Sequence, residues 1–114
     1  MSSRDAQFIA AVKCHCGRRY KSLFEYDQRK YSFNAHSYID INTWLAIVPN
    51  IFKEMKLHRI RRFKFICGKG IHSESGVSIL QPILVAFFKG IRGCEIVSEE
   101  ENEGVVEIRL NYTF

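Results

Sequence analysis

The sequence lacks the features that mark several protein classes. It has only two prolines and seven glycines in 114 residues, with no internal repeat or low-complexity block, which excludes collagen-like and wholly disordered chains. Its longest uncharged apolar stretches, such as 79–88, fall far short of the roughly 20 residues of a membrane span, and the amino end has no long apolar signal core. Four cysteines do not form a disulfide framework. We therefore expect a soluble, cytoplasmic protein with no membrane partner.

Apolar and aromatic residues are plentiful, at 46% and 13% of the chain. This composition is typical of a packed globule, and the length leaves room for one core and excludes a second enzyme domain.

Positive charge is concentrated in most of the chain. The net charge is +5; residues 1–95 hold sixteen basic and seven acidic side chains, whereas 96–114 hold one basic and five acidic. Such a field favours polyanions, and nucleic acid is the leading partner class. The alternative is that the surplus charge only aids solubility.

Hydrophobic periodicity predicts a helical arm followed by an α/β domain. In the arm, 1–36, we expect a helix over 3–16 that stops at Gly17, and a second helical stretch over 20–30. In the domain, 37–114, the pattern predicts a strand at 37–41, a helix over 43–55, a strand at 61–67, a helix over 76–89, and a hairpin of strands at 95–98 and 104–111. Pro49 suits a helix start, so the first of these helices could begin as late as Val48. The order βαβαββ predicts a two-layer sandwich with a right-handed parallel crossover and a mixed four-stranded sheet.

A glycine-rich loop at 67–76 lies between the central strand and the second helix of this domain. Glycines at the carboxyl end of a parallel strand let the backbone approach a ligand, and the next helix directs amide groups into the same space. The loop therefore predicts a seat for a phosphate, built from Gly68, Lys69, Gly70, His72 and Ser73. The alternative is a tight turn with an ordinary surface histidine.

The same loop resembles the second signature of the small MutS-related (Smr) domain family, in the run Cys67-Gly-Lys-Gly-Ile-His72-Ser73 with Gly76-Val77 after it. Upstream, the run Tyr38-Ile-Asp40-Ile-Asn42 resembles the family's first signature in degraded form. Together they relate 37–110 to the family.

The resemblance implies a βαβαββ fold, nucleic-acid binding and, in several members, metal-assisted or acid/base endonucleolysis, including RNA cleavage linked to stalled ribosomes. Asp40 and His72 match the catalytic candidates, and Lys69 matches the basic loop residue. Asn42 stands where the family has histidine, and Cys67 where it has histidine or threonine. Because asparagine cannot exchange a proton near neutral pH, Asn42 argues against full nuclease activity.

Basic side chains elsewhere form a second predicted contact region. The run Arg59, Arg61, Arg62 and Lys64 could track phosphates together with basic residues of the arm, which are Arg18, Arg19, Lys21, Arg29 and Lys30. Four aromatic residues lie among these basic residues of the arm: Tyr20, Tyr26, Tyr31 and Phe33. Their rings could stack on unpaired bases or pack in the core. The alternative for the basic run is a solvated loop.

The run Cys14-His15-Cys16 contains three residues of types that bind metals and is therefore a candidate metal site. Structural zinc usually spaces a cysteine pair by two to four residues, so we favour one buried thiol beside exposed neighbours and predict no metal or other cofactor.

We predict a nucleic-acid-binding protein whose ligand is RNA or a ribonucleoprotein such as the ribosome, with DNA less favoured. One alternative is an endonuclease that uses Asp40 and His72 with a divalent metal. Another is a protein-interaction adaptor without catalytic activity.

Overall fold

Three helices and five strands make up the part of the chain that the structure describes. This computed structural model describes residues 2–35, 39–68, 80–99 and 102–112. In chain order its elements are α1 (Ser3–Tyr20), a 3₁₀ turn (Lys21–Leu23), β1 (Phe24–Asp27), β2 (Lys30–Asn34), α2 (Ile41–Leu57), β3 (Arg62–Ile66), α3 (Leu80–Phe88), β4 (Cys94–Glu99) and β5 (Asn102–Leu110). The predicted α/β class is confirmed.

The strands form one mixed sheet in the order β1-β2-β3-β5-β4. β2 and β3 are parallel and are connected through α2, while the other neighbouring strands are antiparallel. The predicted mixed sheet with a parallel crossover is therefore confirmed, but the sheet has five strands and not four.

Two of the five strands, β1 and β2, come from the predicted arm. The helical stretch predicted over 20–30 is wrong, because most of it belongs to an antiparallel hairpin in which Tyr26 lies opposite Tyr31. The hairpin turns at Gln28 and Arg29, which both have positive φ. Such turns usually carry Asn-Gly or Asp-Gly, and this sequence offers neither signal.

The first helix agrees with the sequence pattern. The Ser2 side chain caps α1 by accepting a hydrogen bond from the Asp5 amide at 3.1 Å. At Gly17 the backbone leaves helical geometry, with φ of +72°, and one more turn leads to Tyr20. The predicted stop at Gly17 thus appears as a kink.

The strand predicted at 37–41 is not present at its described residues. Ile39 and Asp40 lie outside any strand and Ile41 begins α2, while residues 36–38 fall outside the described ranges. The Asp40 carboxylate accepts a hydrogen bond from the Thr43 amide at 2.9 Å, which caps the helix. β2 takes the place of the predicted strand beside β3.

Pro49 lies inside α2 and not at its start. Proline cannot donate the hydrogen bond that would close the preceding turn. One residue later, the Asn50 side-chain amide donates to the Ala46 carbonyl at 2.9 Å. The predicted helix over 43–55 is therefore confirmed, and the alternative start near Val48 is wrong.

All three helices pack against one face of the sheet. Phe8 of α1 contacts the Phe63 ring, with centroids 6.2 Å apart. Trp44 of α2 and Phe88 of α3 both contact Phe65, at 5.8 and 6.1 Å. These five rings are buried and form the centre of the core. Since side chains alternate along a strand, the residues between the core positions lie on the opposite face, which we call the open face.

Candidate nucleic-acid interface

Basic side chains converge around the first residues of β3, partly on the open face and partly at the adjoining end of the sheet. Arg62 lines three adjoining clefts, of about 460, 510 and 310 Å³. The clefts together are lined by eight basic side chains, which we call the arginine surface: Arg4, Arg29, Lys30, Arg59, Arg61, Arg62, Lys64 and Arg109. They are also lined by three carboxylates, those of Asp5, Glu95 and Glu107. The excess of cations makes this surface attractive to a polyanion.

Three parts of the fold bring these side chains together. The β1–β2 turn supplies Arg29, and the α2–β3 turn supplies Arg59 and Arg61. On the sheet itself, Arg62 of β3 lies opposite Arg109 of β5. The α2–β3 turn is held by the Ile60 amide, which donates to the Met55 carbonyl at 2.8 Å.

Tyr112 anchors the same turn. Its hydroxyl lies 2.9 Å from both the Met55 and the Ile60 carbonyl oxygens, and it donates to them. The Arg59 guanidinium lies over the Tyr112 ring, 4.9 Å from the centroid. This cation–π contact holds the Arg59 side chain at the cleft without neutralising its charge.

Carboxylates bind only part of the arginine surface. Glu107 Oε2 accepts a hydrogen bond from Arg109 Nε at 2.7 Å, and Asp5 lies 4.0 Å from the Arg4 guanidinium. Within the described residues, Arg29, Arg59, Arg61 and Arg62 form no ion pair. The centre of the surface therefore keeps its positive charge.

Asp5 contributes to the fold at the edge of this surface. Its carboxylate accepts hydrogen bonds from the Ser2 and Tyr31 hydroxyls, and these bonds lower the pKa of Asp5 below its usual value. Burial, with the hydrogen bond to Asp5, raises the pKa of Tyr31. Because Asp5 is held by these two hydroxyls, it ties the start of α1 to β2.

The predicted contact residues divide between two ends of the sheet. Arg59, Arg61, Arg62 and Lys64 lie at or near the amino end of β3, whereas Gly68 follows its carboxyl end. Arg59, Arg61 and Arg62 precede or begin this five-residue strand, so its length, at about 3.3 Å per residue, separates them from Gly68, while Lys64 lies within the strand. The structure thus places the basic run away from the start of the glycine loop.

Arg18, Arg19 and Lys21 lie neither with the basic run near the amino end of β3 nor on the glycine loop. They are exposed at the carboxyl end of α1, beside Tyr20, whose hydroxyl donates to Asp40 Oδ2 at 3.3 Å. Asp40 precedes α2, which follows the parallel strand β2. These basic residues therefore lie near the candidate catalytic aspartate and not with Arg61 and Arg62.

Asp40 acts as a helix cap in this structure. Its carboxylate accepts from the Thr43 amide at 2.9 Å and from the Thr43 hydroxyl at 2.7 Å. These bonds, together with the one from Tyr20, lower the pKa of Asp40. A lowered pKa weakens a general base, so this geometry does not favour proton abstraction by Asp40.

The structure describes the first two residues of the glycine loop, Cys67 and Gly68. Lys69, Gly70, His72 and Ser73 lie outside the described residues. Gly68 has φ of +81° and packs against Gly104 of β5. The neighbouring Cys67 is buried, and burial raises the pKa of its thiol to about 12. Cys67 thus closes the strand as a neutral thiol, as expected of a small residue at this position.

The run at 14–16 does not gather around a common point. Cys16 is buried, Cys14 is exposed, and His15 Nε2 lies 3.2 Å from Glu54. Glu54 also contacts His58, at 3.1 Å. Among the described residues there is no group of three or more histidine, cysteine or acidic side chains that could hold a metal ion.

Two basic residues of the surface were not singled out by the sequence pattern. Arg4 is one of several charges on α1, and Arg109 is the single basic residue of the acidic stretch 96–114. Arg109 reaches the surface because β5 pairs with β3, which sequence alone does not reveal. The aromatic candidates Tyr20, Tyr31 and Phe33 are buried, and Tyr26 packs partly buried against Tyr31.

Comparisons with known proteins leave the family open. No family model, curated protein or solved structure gives a significant match to this chain. Within the described residues no helix is long and apolar enough to span a membrane. The resemblance to the small MutS-related family stays a prediction that rests on the motif residues at 38–42 and 67–77.

Proposed function

We propose that this chain is an RNA-binding protein and that the arginine surface is its contact site. The convergence of eight basic side chains around Arg62 carries the proposal. Four of these, at Arg29, Arg59, Arg61 and Arg62, form no ion pair within the described ranges. Phosphate groups would bind to these guanidinium groups through charge-assisted hydrogen bonds.

The choice of RNA follows from the resemblance, since the family it points to includes members that act on RNA. A cytoplasmic ribonucleoprotein such as the ribosome is the setting we propose for it. We do not propose nicking activity, because the Asp40 carboxylate is occupied as a helix cap.

The test is RNA binding by the double variant Arg61→Ala/Arg62→Ala, measured by fluorescence anisotropy with a labelled hairpin RNA. The affinity of the wild type should fall steeply as salt rises from roughly 50 to 200 mM. The variant should bind about tenfold or more weakly at low salt, with a salt slope smaller by about 1 to 2. The control is Lys13→Ala/Lys89→Ala, which removes two exposed charges outside the three clefts.

Equal affinity of wild type and Arg61→Ala/Arg62→Ala would overturn the proposal. An equal loss in both double variants would also contradict it, because binding would then depend on net charge and not on this surface.

A further inference from the structure

Three residues of the arginine clefts have an unusual backbone. Gln28, Arg29 and Arg59 have φ of 50°, 65° and 54°, and they are the only residues besides glycine with positive φ in the described part of the chain. All three line the clefts around Arg62. Left-handed backbone is unfavourable for residues with a Cβ, and it concentrates at functional sites.

The chain uses glycine at its other left-handed positions. The four further described residues with positive φ are Gly17, Gly68, Gly90 and Gly93. Glycine or asparagine would also suit a two-residue hairpin turn and the residue that ends a helix. Two arginines stand there instead, at Arg29 in the hairpin turn and at Arg59 after α2. Their side chains therefore have a role that glycine could not fill.

That role is not an ion pair within the described residues. Arg29 has no carboxylate partner there, and Arg59 lies over the Tyr112 ring with its charge retained. Both arginines line the cleft that also contains Arg61 and Arg62. The two turns thus present guanidinium groups in one cleft with the first residues of β3.

Two aromatic residues line the clefts, Tyr31 and Phe63, and both are buried, so the clefts offer cations but no exposed ring for stacking. The aromatic residues of the five strands all lie on the helix-covered face, where they pack in or against the core: Phe24, Tyr26, Tyr31, Phe33, Phe63 and Phe65. The face of Tyr112 is covered by Arg59. Recognition of unpaired bases generally uses aromatic stacking, whereas backbone recognition uses cations.

We propose that Arg29 and Arg59 are phosphate contacts, and that the arginine surface binds the sugar–phosphate backbone of duplex RNA without reading its bases. This inference rests on the proposed function and adds the kind of RNA and two contact residues. A duplex presents its phosphates at higher density than a single strand and keeps its bases stacked inside.

The first experiment compares Arg29→Gly and Arg59→Gly with the wild type in stability and in affinity for a hairpin RNA. Each variant should bind about tenfold more weakly. The melting temperature should stay equal or rise, because glycine relieves the left-handed backbone. Arg29→Asn and Arg59→Asn form a second pair, since asparagine also tolerates this conformation. Lys13→Ala is the control for the loss of one charge.

The second experiment compares an RNA duplex, a duplex of shuffled sequence, and a poly(U) strand with the same number of phosphates. The two duplexes should bind equally and more tightly than poly(U). Tighter binding of poly(U), or a preference for one duplex sequence, would overturn the inference.

The outcomes separate the two proposals. If Arg61→Ala/Arg62→Ala lowers the affinity but the glycine and asparagine variants bind as the wild type does, the inference is wrong and the proposed function stands. A lowered melting temperature in both the glycine and the asparagine variants would mean that the arginines serve the fold, and it would also overturn the inference. If no RNA binds the wild type, the proposed function itself fails.

Discussion

Gly104 offers a sharp test of how the sheet holds the start of the glycine loop. A Cβ added at Gly104 would lie 2.8 Å from the Gly68 carbonyl carbon, 3.0 Å from its Cα and 3.1 Å from its oxygen. All three are main-chain atoms, so no side chain can rotate away. The Cys67 amide donates to the Gly104 carbonyl at 2.7 Å, which keeps the two strands close. Gly104→Ala must therefore displace the backbone at Gly68.

The expected loss follows from this contact. Overpacking in a closely packed region costs about 1 to 3 kcal/mol, and straining the hydrogen bond adds about 1 kcal/mol. The smaller entropy of alanine in the unfolded chain offsets about 1 kcal/mol. The net free energy of unfolding should fall by about 1 to 3 kcal/mol. At roughly 4 °C per kcal/mol for a domain of this size, Tm should fall by about 4 to 12 °C.

Thermal and urea unfolding, followed by the fluorescence of the single, buried Trp44, would measure this loss. Gly90 provides the contrast, because its φ is +85° and nothing lies within 4 Å of an added Cβ. Asparagine tolerates that conformation, so Gly90→Asn should be nearly as stable as the wild type. A Gly104→Ala variant that unfolds at the wild-type temperature would refute the close packing of β5 against Gly68.

Three further predictions concern the fold. Hydrogen bonds lower the pKa of Asp5 below its usual value of 3.8. The stability advantage of wild type over Asp5→Asn should therefore be complete above about pH 5 and be lost as the pH falls through the lowered pKa. Urea unfolding from pH 2 to 7 measures this advantage, and an advantage that grew toward acid pH would contradict the prediction. Tyr112→Phe removes a hydrogen bond shared by two main-chain carbonyls and should cost about 1 kcal/mol in urea unfolding, so an unchanged midpoint would refute that role. A thiol reagent at pH 8 should modify exposed Cys14 rapidly. Cys16 and Cys67 should react only after unfolding, because burial raises their pKa values to about 11 and about 12. Rapid reaction of either thiol in the native protein would show that it is not buried.

The sequence pattern predicts several strands and helices with bounds close to those observed. β3 was predicted at 61–67 and is observed at Arg62–Ile66. The final hairpin was predicted at 95–98 and 104–111 and is observed at Cys94–Glu99 and Asn102–Leu110. In β3 the alternation of apolar and polar residues matches a strand with one covered face, so sequence and tertiary structure agree there. The helix predicted over 76–89 is observed at Leu80–Phe88, and residues 69–79 lie outside the described ranges.

The β1–β2 hairpin could not be predicted in this way. Residues 20–30 also have apolar side chains at helical spacing, and the Gln28-Arg29 turn lacks the usual hairpin residues. Pairing of β2 with β3, more than 25 residues further along the chain, decides the outcome. Long-range contacts of this kind override local propensity.

The candidate site was predicted only in part for the same reason. The basic run at 59–64 is visible in the sequence, and the structure places it in the α2–β3 turn and the first residues of β3. The positions of Arg29 and Arg109 beside this run could not be predicted, because that of Arg29 depends on the hairpin and that of Arg109 on the register between β3 and β5. Arg18, Arg19 and Lys21 share the positive charge but lie beside Tyr20 at the end of α1.

The most direct test of the account is to map the RNA contact on the intact protein by NMR. Backbone amide shifts would be recorded during titration with a hairpin RNA. We predict that the largest changes fall at 28–30 and 59–64, around the amino end of β3. Changes centred instead on Asp40 and Gly68, with 28–30 and 59–64 unaffected, would contradict the assignment of the arginine surface as the RNA-binding site.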